Sequence, residues 1–159
     1  MTPDSRPSGG MTFEDSPFPR RDAVTAPPPA DARWLSTPVR AFMRPGVVTM
    51  AEDASLLQVQ RAMIAHGVHA VLISGVGGPL GWITAGALLP WLDREPTLYA
   101  AASAVSETAA WIAPSASAAD ALHALSDPAV SHLVVCPRAG APAQGVVSEI
   151  DLVRLASGG

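Results

Sequence analysis

The sequence predicts an α/β (α+β) protein in which two similar β-α-β-β-α units follow one another along the chain. Two observations support this prediction. A helix-type apolar pattern with a capped start occurs twice, with an offset of 62 residues between Ser55 and Ser117. Each occurrence is followed by two short apolar runs separated by a turn rich in Gly and Pro, the pattern of a β-hairpin.

The first unit begins with an extended segment, Val47–Met50, and a helix whose first turn follows Ser55. Gln58 stands three residues after Ser55, so the two can form a capping box. Apolar residues at positions i, i+3 and i+7 from Leu56 give the helix one apolar face, and Gly67 is placed to end it.

Two strands and a short helix complete each unit. In the first unit the strands are Ala70–Ile73 and Gly81–Thr84, joined by a turn at 74–80, and the helix is Ala85–Leu92. The second unit repeats the order with an extended segment at 109–112, a helix between Ser117 and Pro128, strands His132–Val135 and Gly145–Ser148 joined by a turn at 136–144, and a last helix Glu149–Ala156.

Residues 1–33 differ in composition from the rest of the chain. They hold seven of the 16 prolines and little apolar surface, which predicts a disordered, Pro-rich tail. The expected domains are therefore this tail at 1–33, the first repeat at 34–95 and the second at 96–159.

Composition excludes several classes of function. The formal charge is −4 and all ten basic residues are arginines, so we expect no nucleic-acid partner. A single cysteine, Cys136, gives no disulfide framework and fits a reducing cytoplasm. The uncharged stretch 62–92 is long enough to cross a bilayer, but glycines and prolines divide it, so no membrane span and no export signal are expected.

Three further motifs suggest chemistry but fit structural roles better. The glycine-rich run 75–81 precedes a strand rather than a helix, which favours a hairpin over a dinucleotide loop. His66 and His69 lack the partners of a metal site, and Cys136 lacks a neighbour that would activate its thiol. With no catalytic constellation in the sequence, we expect no enzyme activity.

The two units resemble the tandem CBS (cystathionine-β-synthase) domain pair, or Bateman module. The resemblance covers roughly residues 35–157 and rests on two motifs of the first unit, Val39–Met43 and Val47–Met50, and on Gly-apolar-apolar-Thr/Ser motifs at 81–84 and 145–148. The Gly-apolar-apolar-Ser motif at 145–148 continues through Glu149 and Ile150 to Asp151. The resemblance implies a non-catalytic sensor that binds an adenosine-type ligand in the cleft between the repeats.

The resemblance also implies which residues hold that ligand. Ser148 and Asp151 would bind its ribose or phosphate, whereas the first repeat has Thr84 but Ala87 at the Asp position, so at most one well-formed site is expected per chain. On residue types alone, Ser148 and Asp151 fit a plain capping box better than a ligand site, and it is the resemblance that brings ligand binding level with it. Adenine would lie against strand edges at 110–114 and 130–132, including the residues Ile112, Pro114, Ser131 and His132.

The absence of lysine leaves Arg44 or Arg138 to neutralise phosphate, which favours a short or uncharged tail over ATP. AMP, ADP, ATP and S-adenosylmethionine are the candidate regulatory ligands, and no covalently bound cofactor is expected. The signal would pass through a homodimer, with a face near Leu57, Ile64, Leu88 and Leu122, or to an unidentified protein target. The alternatives are a structural interaction module whose ligand site is degenerate, consistent with Ala87, and a small enzyme.

Overall fold

A computed structural model describes residues 32–158, and residues from Arg33 onward form one compact unit. The predicted tail at 1–33 lies outside the described residues except for Ala32 and Arg33, which begin a 3-10 helix, Ala32–Ser36. The first repeat contains β1 (Arg44–Pro45), β2 (Thr49–Ala51), α1 (Leu56–His66), β3 (Ala70–Gly75), β4 (Gly78–Thr84) and α2 (Ala85–Leu88). The second contains β5 (Trp111–Ile112), α3 (Ala118–Leu125), β6 (His132–Val135), β7 (Gly145–Ser148) and α4 (Glu149–Ala156).

The predicted fold class is confirmed, and the capped helix starts form as the sequence indicates. The Ser55 backbone N–H donates to Oε1 of Gln58 at 2.9 Å, and the Ser117 N–H donates to Oδ2 of Asp120 at 2.9 Å. Gly67 ends α1 with a φ of 61°, in the left-handed region that glycine adopts without strain. Because these signals act within one helical turn, the sequence alone places both helix starts.

Two elements differ in length from the sequence-based prediction. The turn expected at 74–80 is shorter, because β3 continues to Gly75 and β4 begins at Gly78, with a register shift between Ile73 and Ser74. The helix expected at 85–92 is α-helical only to Leu88 and continues as a 3-10 helix, Leu89–Trp91. Pro90 has no N–H to donate to the preceding turn, so it interrupts the α-helical hydrogen bonding.

The strands form two sheets. In the first sheet β3 lies between β2, which is parallel to it, and β4, which is antiparallel to it. The second sheet has the same arrangement of β5, β6 and β7, and adds β1 from the first repeat along the free side of β7. In the same way, the second repeat contributes to the first sheet: Glu107, in the segment before β5, forms an antiparallel bridge with Trp82 in β4.

The hydrophobic cores show the same exchange of N-terminal segments between repeats. Val39, which precedes the first repeat's strands, is fully buried in the second core with Leu133 and Leu152. The 3-10 helix Ala101–Ala104 packs into the first core with Leu56. A third cluster joins the two sheets and consists of the buried residues Leu72, Trp82, Val134 and Cys136.

Candidate functional site

A cleft of about 930 Å³ lies between the two repeats. Its first-repeat wall is formed by the segment 44–49, the turn 66–70 that joins α1 to β3, and Trp82. The second repeat contributes Ser131, His132, Val146, Ser148, Glu149 and Ile150. Three of the residues predicted to bind a ligand, Ser131, His132 and Ser148, therefore line one cavity.

Asp151 lies behind Ser148 and does not line the cleft itself. Its Oδ2 accepts a hydrogen bond from the Ser148 backbone N–H at 2.8 Å and another from the Ser148 Oγ at 2.9 Å. Both residues are buried, with 6 % and 4 % of their surface exposed for Ser148 and Asp151. The first turn of α4 holds the pair in place, because Ser148 is its N-cap and Asp151 its third residue.

Arg44 covers this pair from the side of the cleft. Its Nη2 donates to Ser148 Oγ at 3.1 Å, and its Nε lies 3.4 Å from Oδ2 of Asp151, without the geometry of a hydrogen bond. A second guanidinium, that of Arg154, lies 3.8 Å from Oδ1 of the same carboxylate. Asp151 is thus a buried anion between two cations, of which Arg44 also lines the cleft.

A chain of three polar side chains forms another part of the wall. Ser131 Oγ donates to Oε2 of Glu107 at 2.6 Å, and the same hydroxyl lies 2.6 Å from Nδ1 of His132. A hydroxyl has one proton to donate, so this arrangement assigns the proton between Ser131 and His132 to Nδ1. Burial lowers the pKa of His132 below its ordinary value, and the nearby Glu107 carboxylate opposes that shift in part.

Trp82 also lines the cleft and was not among the predicted site residues. Only 1 % of its surface is exposed, and its ring centroid lies 5.2 Å from that of His132. Its indole Nε1 is buried and has no hydrogen-bond partner within residues 32–158. The same side chain belongs to the buried cluster between the sheets.

The remaining predicted site residues lie elsewhere. Ile112 is buried in the second core, and the Pro114 carbonyl accepts a hydrogen bond from the Arg40 N–H at 3.0 Å. The physical reason is the strand order, since β5 lies on the far side of β6 from β7, which carries Ser148. Thr84 does not line this cleft and instead caps α2, with its Oγ1 accepting from Ala87 N at 3.2 Å.

Of the two arginines considered for phosphate, the structure places only one at the cleft. Arg44 lines it, whereas Arg138 is exposed in the loop between β6 and β7 and does not. Cys136, at the start of that loop, is buried, and burial raises the pKa of its thiol. That shift disfavours the reactive thiolate.

The strand pairing shows how the potential ligand sites on the two sheets differ. Arg44 pairs with Val146 in the second sheet, and the corresponding pair in the first sheet is Glu107 with Trp82. The potential site on the first sheet therefore has an acid where the site on the second sheet has an arginine, and a tryptophan where it has a valine. Together with Ala87, these differences affect three positions of the potential site on the first sheet, of which sequence reasoning identified one.

Within residues 32–158, no helix is long and apolar enough to cross a membrane. The same part of the chain holds no group of three or more His, Cys, Asp or Glu side chains arranged to hold a metal ion. His66 and His69 both line the cleft, but as separate exposed residues of the α1–β3 turn.

Comparison with protein families identifies both repeats. The CBS domain matches residues 39–94 and, a second time, residues 102–158. The chain belongs to the CBS domain family. No curated protein matches the chain. The limits 34–95 and 96–159 expected for the two repeats stay a prediction.

Solved structures share the fold of this CBS pair at low sequence identity. The CBS domain of the bacterial CNNM/CorC family Mg²⁺ transporter is 20 % identical, with a TM-score of 0.69, over 80 % of this chain and 79 % of that one. Its complex with ATP is 20 % identical, with a TM-score of 0.68, over 79 % and 91 %. The CBS-domain protein ATU1752 from Agrobacterium tumefaciens is 18 % identical, with a TM-score of 0.63, over 76 % and 94 %.

Proposed function

We propose that this tandem CBS pair is a non-catalytic regulatory module that binds one adenosine-type ligand in the cleft between its repeats. The observation that carries the proposal is the buried Ser148–Asp151 pair at the wall of a cleft large enough for a nucleotide. A CBS domain of similar fold has been crystallised with ATP, which supports an adenosine ligand.

In this proposal Asp151 accepts hydrogen bonds from ribose hydroxyls and Ser148 contacts the hydroxyl or phosphate beside them. Val47 and Val48 give the cleft an apolar wall against which adenine can pack, opposite Ser131 and His132. Arg44 is the one arginine among the lining residues described. A single guanidinium favours a mono- or diphosphate, or an uncharged tail, over a triphosphate.

The module would transmit the bound state through a homodimer or to a protein partner, in the cytoplasm and without nucleic acid or membrane. Both repeats carry exposed apolar helix residues, including Ile64 in α1 and Leu122 in α3. Leu88, expected on the same face, is buried in the first core and is not available for a contact between chains. Leu57 is half-buried and stays a candidate.

The decisive experiment is calorimetry of the full chain with AMP, ADP, ATP and S-adenosylmethionine, together with thermal unfolding. We expect at least one compound to bind with one site per chain and to raise the unfolding temperature with increasing concentration. Asp151→Asn should weaken binding about tenfold or more, because it removes a charged acceptor of two hydroxyls.

Asp120→Asn is the matched control, since Asp120 has the same capping position in α3 but is exposed and outside the cleft. It should leave affinity unchanged. Equal affinities in wild type and Asp151→Asn would contradict the assignment of the site.

A second candidate function is a structural interaction module with a degenerate site. It is favoured by the environment of Asp151, whose carboxylate is already engaged by Ser148, Arg44 and Arg154 of its own chain. If none of the four compounds stabilises the protein, this second function is the better account.

A further inference from the structure

The carboxylate assigned to ribose binding is buried and is separated from the cleft by Ser148 and Arg44. Oδ2 of Asp151 already accepts from the N–H and the hydroxyl of Ser148, and the Nε of Arg44 lies 3.4 Å away. The two Ser148 donors occupy Oδ2, whereas Oδ1, 3.8 Å from Nη1 of Arg154, keeps its capacity to accept a hydrogen bond. Arg44 and Ser148 line the cleft, whereas Asp151 does not. A ligand hydroxyl can reach the carboxylate from the cleft only after the Arg44 side chain moves.

The backbone of Arg44 is held firmly in place, whereas its side chain is held only weakly. The backbone belongs to β1, paired with Val146 in β7, and its carbonyl packs closely on Gly145. The side chain, by contrast, is 43 % exposed, and its buried Nε approaches Asp151 without hydrogen-bond geometry. The Nη2 contact with Ser148 at 3.1 Å is therefore the one well-formed bond described for this guanidinium.

We propose that Arg44 is a displaceable cover over the Ser148–Asp151 pair and makes the cleft selective for anionic ligands. The proposal rests on the adenosine function above. A ligand phosphate would bind the guanidinium, which prefers the planar, two-point contact a phosphate offers. Arg44 then leaves Asp151, and the carboxylate becomes available to the ribose hydroxyls. A neutral nucleoside gains no such contact and must displace Arg44 without compensation.

The first repeat lacks this arrangement, which confines the selectivity to one half of the molecule. At the position that corresponds to Arg44 stands Glu107, an anion that accepts hydrogen bonds from the N–H and hydroxyl of Ser131. No carboxylate lies beneath it, because Ala87 replaces the aspartate.

The test compares AMP with adenosine by calorimetry on the full chain, in wild type and in Arg44→Met, which keeps an apolar stem without the charge. We expect wild type to prefer AMP, and Arg44→Met to reduce the AMP-to-adenosine affinity ratio about tenfold or more. Adenosine itself should bind Arg44→Met more tightly than wild type. Arg154→Met is the control, because Arg154 also faces Asp151 but does not line the cleft, and it should keep the wild-type ratio.

The outcomes separate this proposal from the adenosine function. If wild type binds AMP and Arg44→Met keeps the same ratio, the cover is refuted while the adenosine site stands. If only the variant binds adenosine, the cover is supported and wild type is closed to nucleosides. If neither protein binds either compound, the cover is refuted, and the adenosine function fails as well only if ADP, ATP and S-adenosylmethionine also do not bind. Should Arg44→Met not fold, the wild-type ratio decides alone: it must fall with rising salt, and a salt-independent ratio overturns the proposal.

Discussion

His132 links the chemistry of the cleft to the pH dependence of stability. Burial lowers the pKa of this side chain in the folded protein, whereas the unfolded chain keeps the ordinary value of about 6.5. Between the two values the unfolded state binds more protons than the folded state. The contribution of His132 to the free energy of unfolding is therefore fully present above about pH 6.5 and is lost as pH falls below that value.

We expect this loss to be smaller in His132→Gln, which keeps a hydrogen-bonding side chain but cannot titrate. Urea unfolding at pH 7.5 and at pH 5.5 measures the difference in the free energy of unfolding for each protein. His66→Gln, which replaces an exposed histidine at the end of α1, should behave as wild type. An identical pH dependence in wild type and His132→Gln would show that this histidine is not the group responsible.

At the level of single residues, the sequence predicted those parts of the site that lie within one motif. Ser148 and Asp151 lie within one helical turn, and Ser131 and His132 are neighbours in the chain, so the family resemblance indicates both pairs. The contact between Arg44 and Ser148 joins residues 104 positions apart. Such a contact depends on where β1 pairs, and nothing in the local sequence around Arg44 specifies that partner.

At the level of elements, two glycines permit the exchange of segments between the sheets. A Cβ added at Gly145 would lie 2.5 Å from the Arg44 carbonyl oxygen, and one at Gly81 would lie 2.2 Å from the Glu107 carbonyl oxygen. Each glycine lies in a strand that the other repeat's backbone approaches so closely that a side chain would not fit. The turn and cap signals were predictable locally, whereas this crossing of segments was not.

Gly145→Ala should therefore destabilise the protein by about 1–3 kcal/mol, because the nearest atom it meets, the Arg44 carbonyl oxygen, belongs to the backbone and cannot move aside. Gly77→Ala is the control, since it lies in the β3–β4 turn with open space around it and no positive φ. Chemical denaturation of both variants measures the change in the free energy of unfolding. A Gly145→Ala protein as stable as Gly77→Ala would mean that β1 does not approach β7 this closely.

At the level of the whole molecule, the exposed apolar helix residues are the surface we assign to dimer formation. Ile64 is 83 % exposed beside a groove of about 400 Å³ that is lined by Met63, Val68 and Leu92, among others. A side chain of this kind loses unfavourable contact with water when a second chain covers it.

We expect wild type to sediment as the proposed dimer and Ile64→Asp as a monomer at equal concentration, because the substitution would bury a charge at the interface. Val76→Asp introduces the same charge at a fully exposed position in the β3–β4 turn and should leave the mass unchanged. A dimer that persists in Ile64→Asp would assign the interface to another surface.

The exchange of N-terminal segments also bears on the order in which the chain can fold during synthesis. Val39 leaves the ribosome well before Leu133 and Leu152, the core residues it packs with, which follow it in the chain by 94 and 113 positions. Ala101 and Ala104, in contrast, reach the first core soon after Leu56 and Ile83 have emerged. The first core can close on a nascent chain, whereas Val39 must stay undocked until Leu133 and Leu152 have emerged.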